Sequence, residues 1–303
     1  MRLGIDLGGT KIAAVVLADD GRVCWEARVA TPRDDYDGTL AAIANLVSAG
    51  ERASGETCTV GIGMPGAISP ATGLVKNANS TWLNGRALHD DLERRLGRPV
   101  RLANDANCLA VSESTDGGAA GSKVVFGVIL GTGVGGGVAI DGRVITGRNA
   151  VAGEWGHNPL PWPMEDERPG PACYCGRHGC IETFLSGPAL AADYRARTGV
   201  ERSSEAIARA ADEGDAEAVA VLRTWTQRLA RALATVINVL DPDVIVVGGG
   251  LSQMTRLYDD VPREWETWVF SDHVTTRLIP ARYGDASGVR GAAWLWEPML
   301  LSP

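Results

Sequence analysis

Three of the six cysteines of this chain, Cys173, Cys175 and Cys180, lie within eight residues. Such close thiolates are typical of metal sites, and three of them with one imidazole complete the tetrahedral shell that zinc prefers. Of the two histidines nearby, His178 lies inside the tight loop, where we expect its ring to point outward. The pattern therefore favours a structural zinc site formed by His157 and the three cysteines, with free thiols as the alternative.

Two glycine-rich turns have the composition of phosphate-binding loops. The first follows Asp6 and reads Gly8-Gly9-Thr10-Lys11, and the second reads Gly131-Thr132-Gly133. Glycine turns expose backbone N–H groups that can hold phosphate oxygens, whereas an isolated Gly-Gly-Thr by itself indicates a plain hairpin. Because the motif occurs once in each half of the chain, we expect the two turns to hold the same phosphate chain.

The second turn also matches the spacing of a dinucleotide-binding fingerprint, with glycines at 131, 133 and 136. That fingerprint requires a helix directly after the glycines. Here Val138-Ala139-Ile140 continues into Asp141-Gly142-Arg143, which predicts a strand and a hairpin. We therefore disfavour a nicotinamide-dependent oxidoreductase.

Asp105 is the candidate catalytic base. It belongs to Asn104-Asp105-Ala106-Asn107, which follows an apolar strand and precedes a helical segment. A carboxylate at such a junction can accept a hydroxyl proton during phosphoryl transfer. Asn and Asp are also the residues preferred at helix N-caps, so these residues alone leave both roles open.

Glu154 and His157 lie in a stretch rich in glycine and proline, which favours a ligand-carrying loop over a buried structural histidine. Glu182 follows Cys180 by two residues, so the predicted zinc clip would hold it in place. An imidazole can bind metal through one nitrogen while the other faces a substrate hydroxyl. We expect zinc to organise this site and not to act as a Lewis acid.

The apolar pattern predicts two α/β halves that each begin with strand, glycine turn and strand. The first domain is expected to comprise residues 1–116 plus 288–303, and the second, residues 117–287, to carry the zinc loop. A nucleotide could lie in the cleft between two such halves. Strands are predicted at Leu3–Leu7, Ile12–Leu17, Val23–Val29, Thr59–Met64, Pro99–Ala103, Val124–Leu130, Gly137–Ile140 and Val244–Val247, with a long helix over Asp215–Leu240 and a tryptophan-rich helix at the C-terminus.

The composition narrows the classes of partner. The net charge is -8 and the isoelectric point about 5.1, which disfavours nucleic acid. The longest uncharged run, Val124 to Ile140, is shorter than a membrane helix and rich in glycine, and the N-terminus has no secretory pattern. With clustered cysteines that suit a reducing compartment, these features predict a cytoplasmic protein without a membrane partner.

Together these motifs resemble the ROK family of sugar kinases over essentially the whole chain. Some segments are most similar to the bacterial fructokinase or manno(fructo)kinase branch, among them 31–34, 77–85 and 155–162. The family resemblance rests on Asp6-Leu7-Gly8-Gly9-Thr10-Lys11, Gly63-Met64-Pro65-Gly66, Asn104-Asp105-Ala106-Asn107, Gly131-Thr132-Gly133-Val134-Gly135, Gly153-Glu154-Trp155-Gly156-His157, the Cys173 to Glu182 segment and Gly248-Gly249-Gly250.

The resemblance implies the duplicated actin-like ATPase fold of hexokinases, with ATP and Mg²⁺ as cofactors beside the zinc. It implies that Asp105 takes the proton from the sugar 6-hydroxyl and that Gly249 and Gly250 border the adenosine. The other sugar hydroxyls would be held by Asn79, Asn104, Glu154, His157 and Glu182. The phosphates would be engaged by Asp6 through magnesium and by Gly9, Thr10, Lys11, Gly131, Thr132 and Gly133.

The predicted activity is therefore ATP-dependent phosphorylation of a hexose at O6, with fructose as the first choice and mannose or glucose as further substrates. An N-acetylhexosamine or glucose kinase of the same family, and a non-catalytic sugar sensor, are the alternatives; an ATPase scaffold shares the fold but has no other support. A DNA-binding repressor is disfavoured because the first glycine turn follows Met1 so closely. The resemblance also implies a homodimer.

Overall fold

The computed structural model describes residues 1–296, and its first sheet has five strands in the order β3-β2-β1-β4-β7. The antiparallel strands β1, β2 and β3 are followed by β4 and β7, which continue the sheet in parallel to β1. The strands are β1 (Arg2–Leu7), β2 (Lys11–Leu17), β3 (Val23–Ala30), β4 (Thr59–Met64) and β7 (Val100–Asn104), and a separate small hairpin is formed by β5 (Ala67–Ile68) and β6 (Val75–Lys76).

The second sheet has the order β10-β9-β8-β11-β12 and repeats the topology of the first. In the first sheet, β1 precedes a glycine turn and lies between its hairpin partner β2 and the parallel strand β4. In the second sheet, β8 occupies the same position between β9 and the parallel strand β11. The strands are β8 (Val124–Leu130), β9 (Val134–Ile140), β10 (Arg143–Val144), β11 (Val244–Gly248) and β12 (Arg277–Pro280). The predicted duplicated α/β architecture is confirmed.

Nine α-helices connect the strands of residues 1–296. None of these helices is both long and apolar enough to span a bilayer. They are α1 (Tyr36–Ser54), α2 (Leu88–Leu96), α3 (Asp105–Thr115), α4 (Glu182–Leu185), α5 (Gly187–Thr198), α6 (Ser204–Asp212), α7 (Ala216–Leu240), α8 (Leu257–Trp265) and α9 (Ser287–Ala293). The C-terminal helix ends before the tryptophans at 294 and 296 that were expected inside it.

The chain folds as two compact units. The first comprises Met1–Gly121, Gly137–Ala152 and the described residues 285–296, and the second comprises Ser122–Gly136 and Gly153–Gly284. The sequence analysis expected 137–152 in the second domain and did not foresee its return to the first. The return has a packing basis, because a Cβ added at Gly137 would lie 2.4 Å from the carbonyl oxygen of Ala106 on α3. Residues 297–303 of the expected first domain lie outside the described residues.

Both faces of the first sheet are covered. Alternate residues of β2 point to opposite faces, as the strand period of two requires. Val16 packs into the core built with α1, α2 and the neighbouring strands, whereas Val15 packs with α3 and α9. This double coverage explains why β1 and β2 are almost continuously buried and why β2 is apolar after Lys11.

Glycines let α9 approach its neighbours at backbone distance. A Cβ added at Gly291 would lie 1.7 Å from the carbonyl oxygen of Cys108 on α3, and one at Gly61 would lie 1.9 Å from that of Ala292. Contacts this short leave no room for any side chain. The position of α3, whose first residue is Asp105, is therefore fixed by glycine on α9.

A buried ion-pair network fixes the segment that precedes the cysteine cluster in the second unit. Glu167 accepts hydrogen bonds from Arg228 Nε and from Arg231 Nη2, each at 2.8 Å, and all three side chains are buried. Burial alone would raise the pKa of Glu167, but the hydrogen bonds from Arg231 and Arg228 outweigh it and lower that pKa to about 2. The network thereby ties the short helix Glu165–Glu167 to α7.

Replacing Glu167 by Gln should lower the free energy of unfolding by about 3 kcal/mol or more at pH 7, because it removes the carboxylate that pairs with the buried Arg231 and leaves the buried Arg228 with Asp193 as its charged partner. The wild-type carboxylate contributes stability above its unfolded-state pKa of 4.5 and loses that contribution as the pH falls towards 2. Chemical denaturation at pH 7 and pH 3 should therefore show the difference between the two proteins shrinking at the lower pH. Glu165→Gln, an exposed carboxylate of the same short helix, is the control and should change stability by less than about 0.5 kcal/mol. A difference that is equal at both pH values would contradict this account.

Candidate functional site

The first glycine turn is a tight connection between β1 and β2. The Gly8 amide donates to the Lys11 carbonyl at 3.0 Å, and a Cβ at Gly8 would lie only 2.8 Å from that oxygen. Thr31 holds both ends of the turn, because its amide donates to the Thr10 carbonyl at 3.0 Å and its hydroxyl to the Gly8 carbonyl at 2.7 Å. The turn that carries Gly9, Thr10 and Lys11 is thus held in one shape before any ligand arrives.

Asp6 is the penultimate residue of β1, beside this turn, and its ionised form is disfavoured by its surroundings. Burial raises its pKa to about 6, with a further contribution from the negative charge of Asp105, while Lys11 lowers it. A carboxylate in this setting gains from a nearby cation. The structure therefore brings Asp6 and Asp105 close enough in the first unit to influence each other.

Asn104, and not Asp105, caps helix α3. The Asn104 side chain accepts a hydrogen bond from the Asn107 amide at 2.7 Å, which is the N-cap interaction. Asp105 is the first residue of the helix; its carboxylate accepts from the Ala106 amide at 2.8 Å and is open to solvent. Desolvation by the neighbouring protein raises the pKa of Asp105, and the hydrogen bond from the Ala106 amide offsets part of that increase. The sequence left open whether Asp105 caps the helix. The structure shows that Asn104 is the cap and that Asp105 is exposed.

Asn79 lies exposed in the loop that follows β6. Its neighbour Ala78 is held on both sides by one side chain, since Asn84 accepts from the Ala78 amide and donates to the Ala78 carbonyl, each at 2.9 Å. Asn84 is a positioning residue that the sequence analysis missed. The signal was present in the polar run from 77 to 85, which contains three asparagines at 77, 79 and 84.

In the second unit, the turn Gly131-Thr132-Gly133 is followed directly by strand β9, as predicted, and not by the helix of a dinucleotide-binding fingerprint. The Gly131 amide donates to the Gly133 carbonyl at 3.0 Å. Glu182 supports the turn, because its Oε2 accepts from the Val134 amide at 2.9 Å and would lie 2.6 Å from a Cβ at Gly133. Glu182, which the sequence predicted to bind the sugar, therefore uses one of its two carboxylate oxygens to support the second glycine turn.

In the segment around Glu154, exposed and buried residues are neighbours in the chain. Glu154 is exposed, whereas Trp155 is buried, packs edge-on against Phe126 at 5.8 Å and donates from Nε1 to the Gly135 carbonyl at 3.0 Å. A Cβ at Gly156 would lie 2.0 Å from the Val134 carbonyl oxygen. Trp155 is thus a core residue that fixes the loop carrying Glu154 and His157.

His157, Cys173, Cys175 and Cys180 place one ligand atom each within 4.8 Å of one another. Sγ of Cys175 lies 3.6 Å from that of Cys180, and Sγ of Cys173 lies 3.5 Å from Nδ1 of His157. Tetrahedral zinc with Zn–S bonds of about 2.3 Å requires ligand separations of about 3.8 Å, so the donor set fits this ion. His178 is exposed and does not belong to the cluster.

The second nitrogen of His157 already has a neighbour. Its Nε2 lies 2.9 Å from the hydroxyl of Tyr174, and the two rings meet edge to face. The sequence analysis expected this nitrogen to face a sugar hydroxyl. A sugar that takes this contact would have to displace the Tyr174 hydroxyl.

Gly250 lines a cavity of about 390 Å³ in the second unit, and Gly249 precedes it in the chain. Gly249 has a positive φ of 84°, and a Cβ there would lie 2.4 Å from the Leu130 carbonyl oxygen. Gly250, Gly131 and Thr132 line the same cavity. The structure thus brings together the second predicted phosphate turn and part of the predicted adenosine site.

Comparison with known proteins places the chain in a family. The model of the ROK family matches residues 2–298. An N-acetyl-D-glucosamine kinase of Erwinia tasmaniensis is 41% identical over 97% of this chain and 99% of its own length. The structure of a ROK hexokinase from Thermus thermophilus superposes with a TM-score of 0.86 at 31% identity, covering 97% of each chain. A ROK family glucokinase from Streptomyces griseus, solved with glucose and AMPPNP, superposes with a TM-score of 0.77 at 30% identity, covering 96% of this chain and 97% of its own.

These relatives bear out the actin-like ATPase fold that the motifs implied. They do not bear out the fructokinase branch, because the relative at 41% identity is an N-acetyl-D-glucosamine kinase. The family model and the relatives each cover nearly all of the sequence, and the chain therefore belongs to the ROK family.

Proposed function

We propose that this protein is an ATP-dependent sugar kinase that phosphorylates N-acetylglucosamine at its 6-hydroxyl. The observation that carries the choice of sugar is the 41% identity, over 97% of the chain, to an N-acetyl-D-glucosamine kinase. This choice replaces fructose, the first expectation from the sequence, by the alternative of an N-acetylhexosamine. A cytoplasmic location and a homodimeric assembly stay predictions from the sequence.

Asp105 is the proposed general base. Its carboxylate is accessible, and its raised pKa brings it nearer to the range in which a carboxylate accepts a proton effectively. Because Asn104 takes over the capping of α3, the Asp105 side chain can turn towards the sugar hydroxyl. The proton of the 6-hydroxyl would pass to Asp105 as the oxygen attacks the γ-phosphorus.

The remaining hydroxyls of the sugar are assigned to polar side chains on fixed loops. Asn104 keeps its amide N–H₂ free of the capping bond and can donate to a hydroxyl oxygen. Carboxylates accept from hydroxyls, and Glu182 has one oxygen beyond the one used by Val134. The full proposed set is Asn79, Asn104, Asp105, Glu154, His157 and Glu182.

The phosphates of the nucleotide are assigned to the two glycine turns, through Gly9, Thr10 and Lys11 in the first and Gly131, Thr132 and Gly133 in the second. A Cβ at Gly131 would meet nothing within 4 Å, so the turn leaves open space on that side for a ligand. Asp6 is the proposed anchor for the magnesium ion, and Gly249 and Gly250 are proposed to border the adenosine. Magnesium bound to ATP neutralises phosphate charge in this class of reaction.

Zinc is assigned to the cluster of His157, Cys173, Cys175 and Cys180, where it would supply structural rigidity. The cluster ends at Cys180, and Glu182 begins α4 two residues later. Loss of the metal would therefore loosen the carboxylate that supports the second glycine turn.

A kinetic panel with ATP tests the choice of sugar. N-acetylglucosamine should give a kcat/KM at least about tenfold above those of fructose, glucose and mannose. A site built to hydrogen-bond the acetamide would have unpaired polar groups when it binds a sugar that lacks this substituent. Phosphoryl transfer from ATP is measured by coupled detection of the ADP formed, and the phosphorylated position of the sugar product is assigned by NMR. Preference for fructose would contradict the choice of sugar, and absence of transfer to all four sugars would contradict the kinase.

Replacing Asp105 by Asn should lower kcat by about 10² to 10⁴ fold, since the 6-hydroxyl then loses its proton acceptor. Sugar binding measured by calorimetry should change by less than about tenfold. Asp37→Asn is a matched control, because Asp37 also lies in the first turn of a helix of the first unit, α1. Ordinary turnover by the Asp105 variant would refute its role as the base.

Purified protein should contain about one zinc ion per chain by elemental analysis. Cys175→Ser should abolish zinc binding and lower the thermal unfolding midpoint, and removal of the metal with a chelator should do the same to the wild type. Cys24→Ser is the control, because this cysteine is half-buried in β3 and lies outside the cluster. A chain that stays metal-free under reducing conditions with added zinc would overturn this assignment.

A further inference from the structure

We infer that Glu205 recognises the ribose of the nucleotide and makes the protein selective for ribonucleotides; this inference rests on the proposed use of ATP. Glu205 lies at the second position of α6 and lines the 390 Å³ cavity together with Gly131, Thr132 and Gly250. No motif in the sequence pointed to it. Its place in the fold, and not its sequence context, brings it beside the proposed phosphate turn.

The start of α6 is held against the second glycine turn through α5. The Gly187 amide at the start of α5 donates to the Gly131 carbonyl at 2.8 Å, and a Cβ at Gly187 would lie 3.1 Å from the Ser204 hydroxyl. The turn and the first residues of α5 and α6 therefore form one wall. Glu205 follows Ser204 directly, so this packing fixes where its carboxylate can reach.

The Glu205 carboxylate is exposed, ionised and directed to the glycine side of the cavity. One of its oxygens lies 3.9 Å from where a Cβ of Gly250 would be, so the absence of a side chain at 250 leaves room beside it. Its own backbone N–H, together with the Ser203 hydroxyl, lowers its pKa and keeps it in the accepting form. An ionised carboxylate offers acceptors only.

The chemistry of the cavity assigns different parts of a nucleotide to different walls. Backbone N–H groups of the glycine turn suit phosphate oxygens, whereas the negative charge of Glu205 would repel them. Two carboxylate oxygens match a pair of neighbouring hydroxyl donors, which a nucleotide presents only as the 2′- and 3′-hydroxyls of ribose. Pro188, Ala191 and Leu251 supply apolar surface for the base.

Comparison of ATP with 2′-deoxyATP and 3′-deoxyATP tests this inference. The wild type should bind ATP at least about tenfold more tightly than either deoxynucleotide, since a hydrogen bond to a charged acceptor is lost. Glu205→Ala should weaken ATP binding most and should weaken binding of each deoxynucleotide less, because each of these keeps one of the two hydroxyls, so that the three nucleotides come to bind the variant with affinities within about threefold of one another. Binding is measured by calorimetry without sugar, and KM for each nucleotide is measured in the sugar kinase assay.

The matched control is Glu201→Gln. Glu201 pairs with Arg195 at 2.8 Å on the surface and does not line the cavity, so this variant should keep the preference for ATP. Equal binding of ATP and both deoxynucleotides by the wild type would overturn the inference. So would equal weakening of all three nucleotides by Glu205→Ala, which would instead indicate that Glu205 acts on the metal or the triphosphate.

The two proposals fail separately. Sugar phosphorylation with identical KM for ATP and the deoxynucleotides would leave the kinase intact and reject the role of Glu205. Selective ATP binding without phosphorylation of any hexose would support Glu205 and reject the kinase.

Discussion

Backbone-to-backbone contact between α3, α9 and the first sheet is the constraint on which the proposed catalytic residues depend. Added Cβ atoms at Gly291 and at Gly4 would come within 2.0 Å of carbonyl oxygens, on α3 and α9 respectively. A side chain at either position would push α9 away and shift α3 with it. Asp105 begins α3 and Asp6 lies near the end of β1, so the distance between the two carboxylates is set by glycine packing and not by any bond between them.

In the second unit a single acidic side chain, that of Glu182, connects the cysteine cluster to the second glycine turn. Glu182 follows the cysteine cluster by two residues, and its carboxylate holds the Val134 amide at the end of the glycine turn. The segment that precedes the cluster in the chain is attached to α7 by the hydrogen bonds that Glu167 accepts from Arg228 and Arg231. A metal in the cluster would thus act on the proposed phosphate site through a short covalent and hydrogen-bonded connection, which suits a structural ion better than a catalytic one.

Local patterns were enough to predict most of the strands and both glycine turns, because hydrophobic alternation and turn residues depend on a few neighbours in the chain. The short strands β5 and β6 and the edge strand β12 were not predicted. The role of Asn104 as the cap was not decidable, since Asn and Asp serve equally well there. Residues 137–152 and Glu205 could not be placed, because their surroundings are made by distant segments such as α3 and Gly250. The fructokinase branch expected from short motifs is not confirmed, because a relative that is 41% identical over 97% of the chain is an N-acetyl-D-glucosamine kinase.

The paired carboxylates of the first unit also explain why catalysis should depend on a cation at Asp6. Burial and the charge of Asp105 raise the pKa of Asp6 to about 6, so the two negative charges are costly to keep side by side at neutral pH. Lys11 offsets only part of this cost. A divalent cation held at Asp6 would offset the rest and would let both groups stay ionised. The proposed cation at Asp6 would thus stabilise the ionised form of the Asp6 carboxylate, which burial and the charge of Asp105 disfavour.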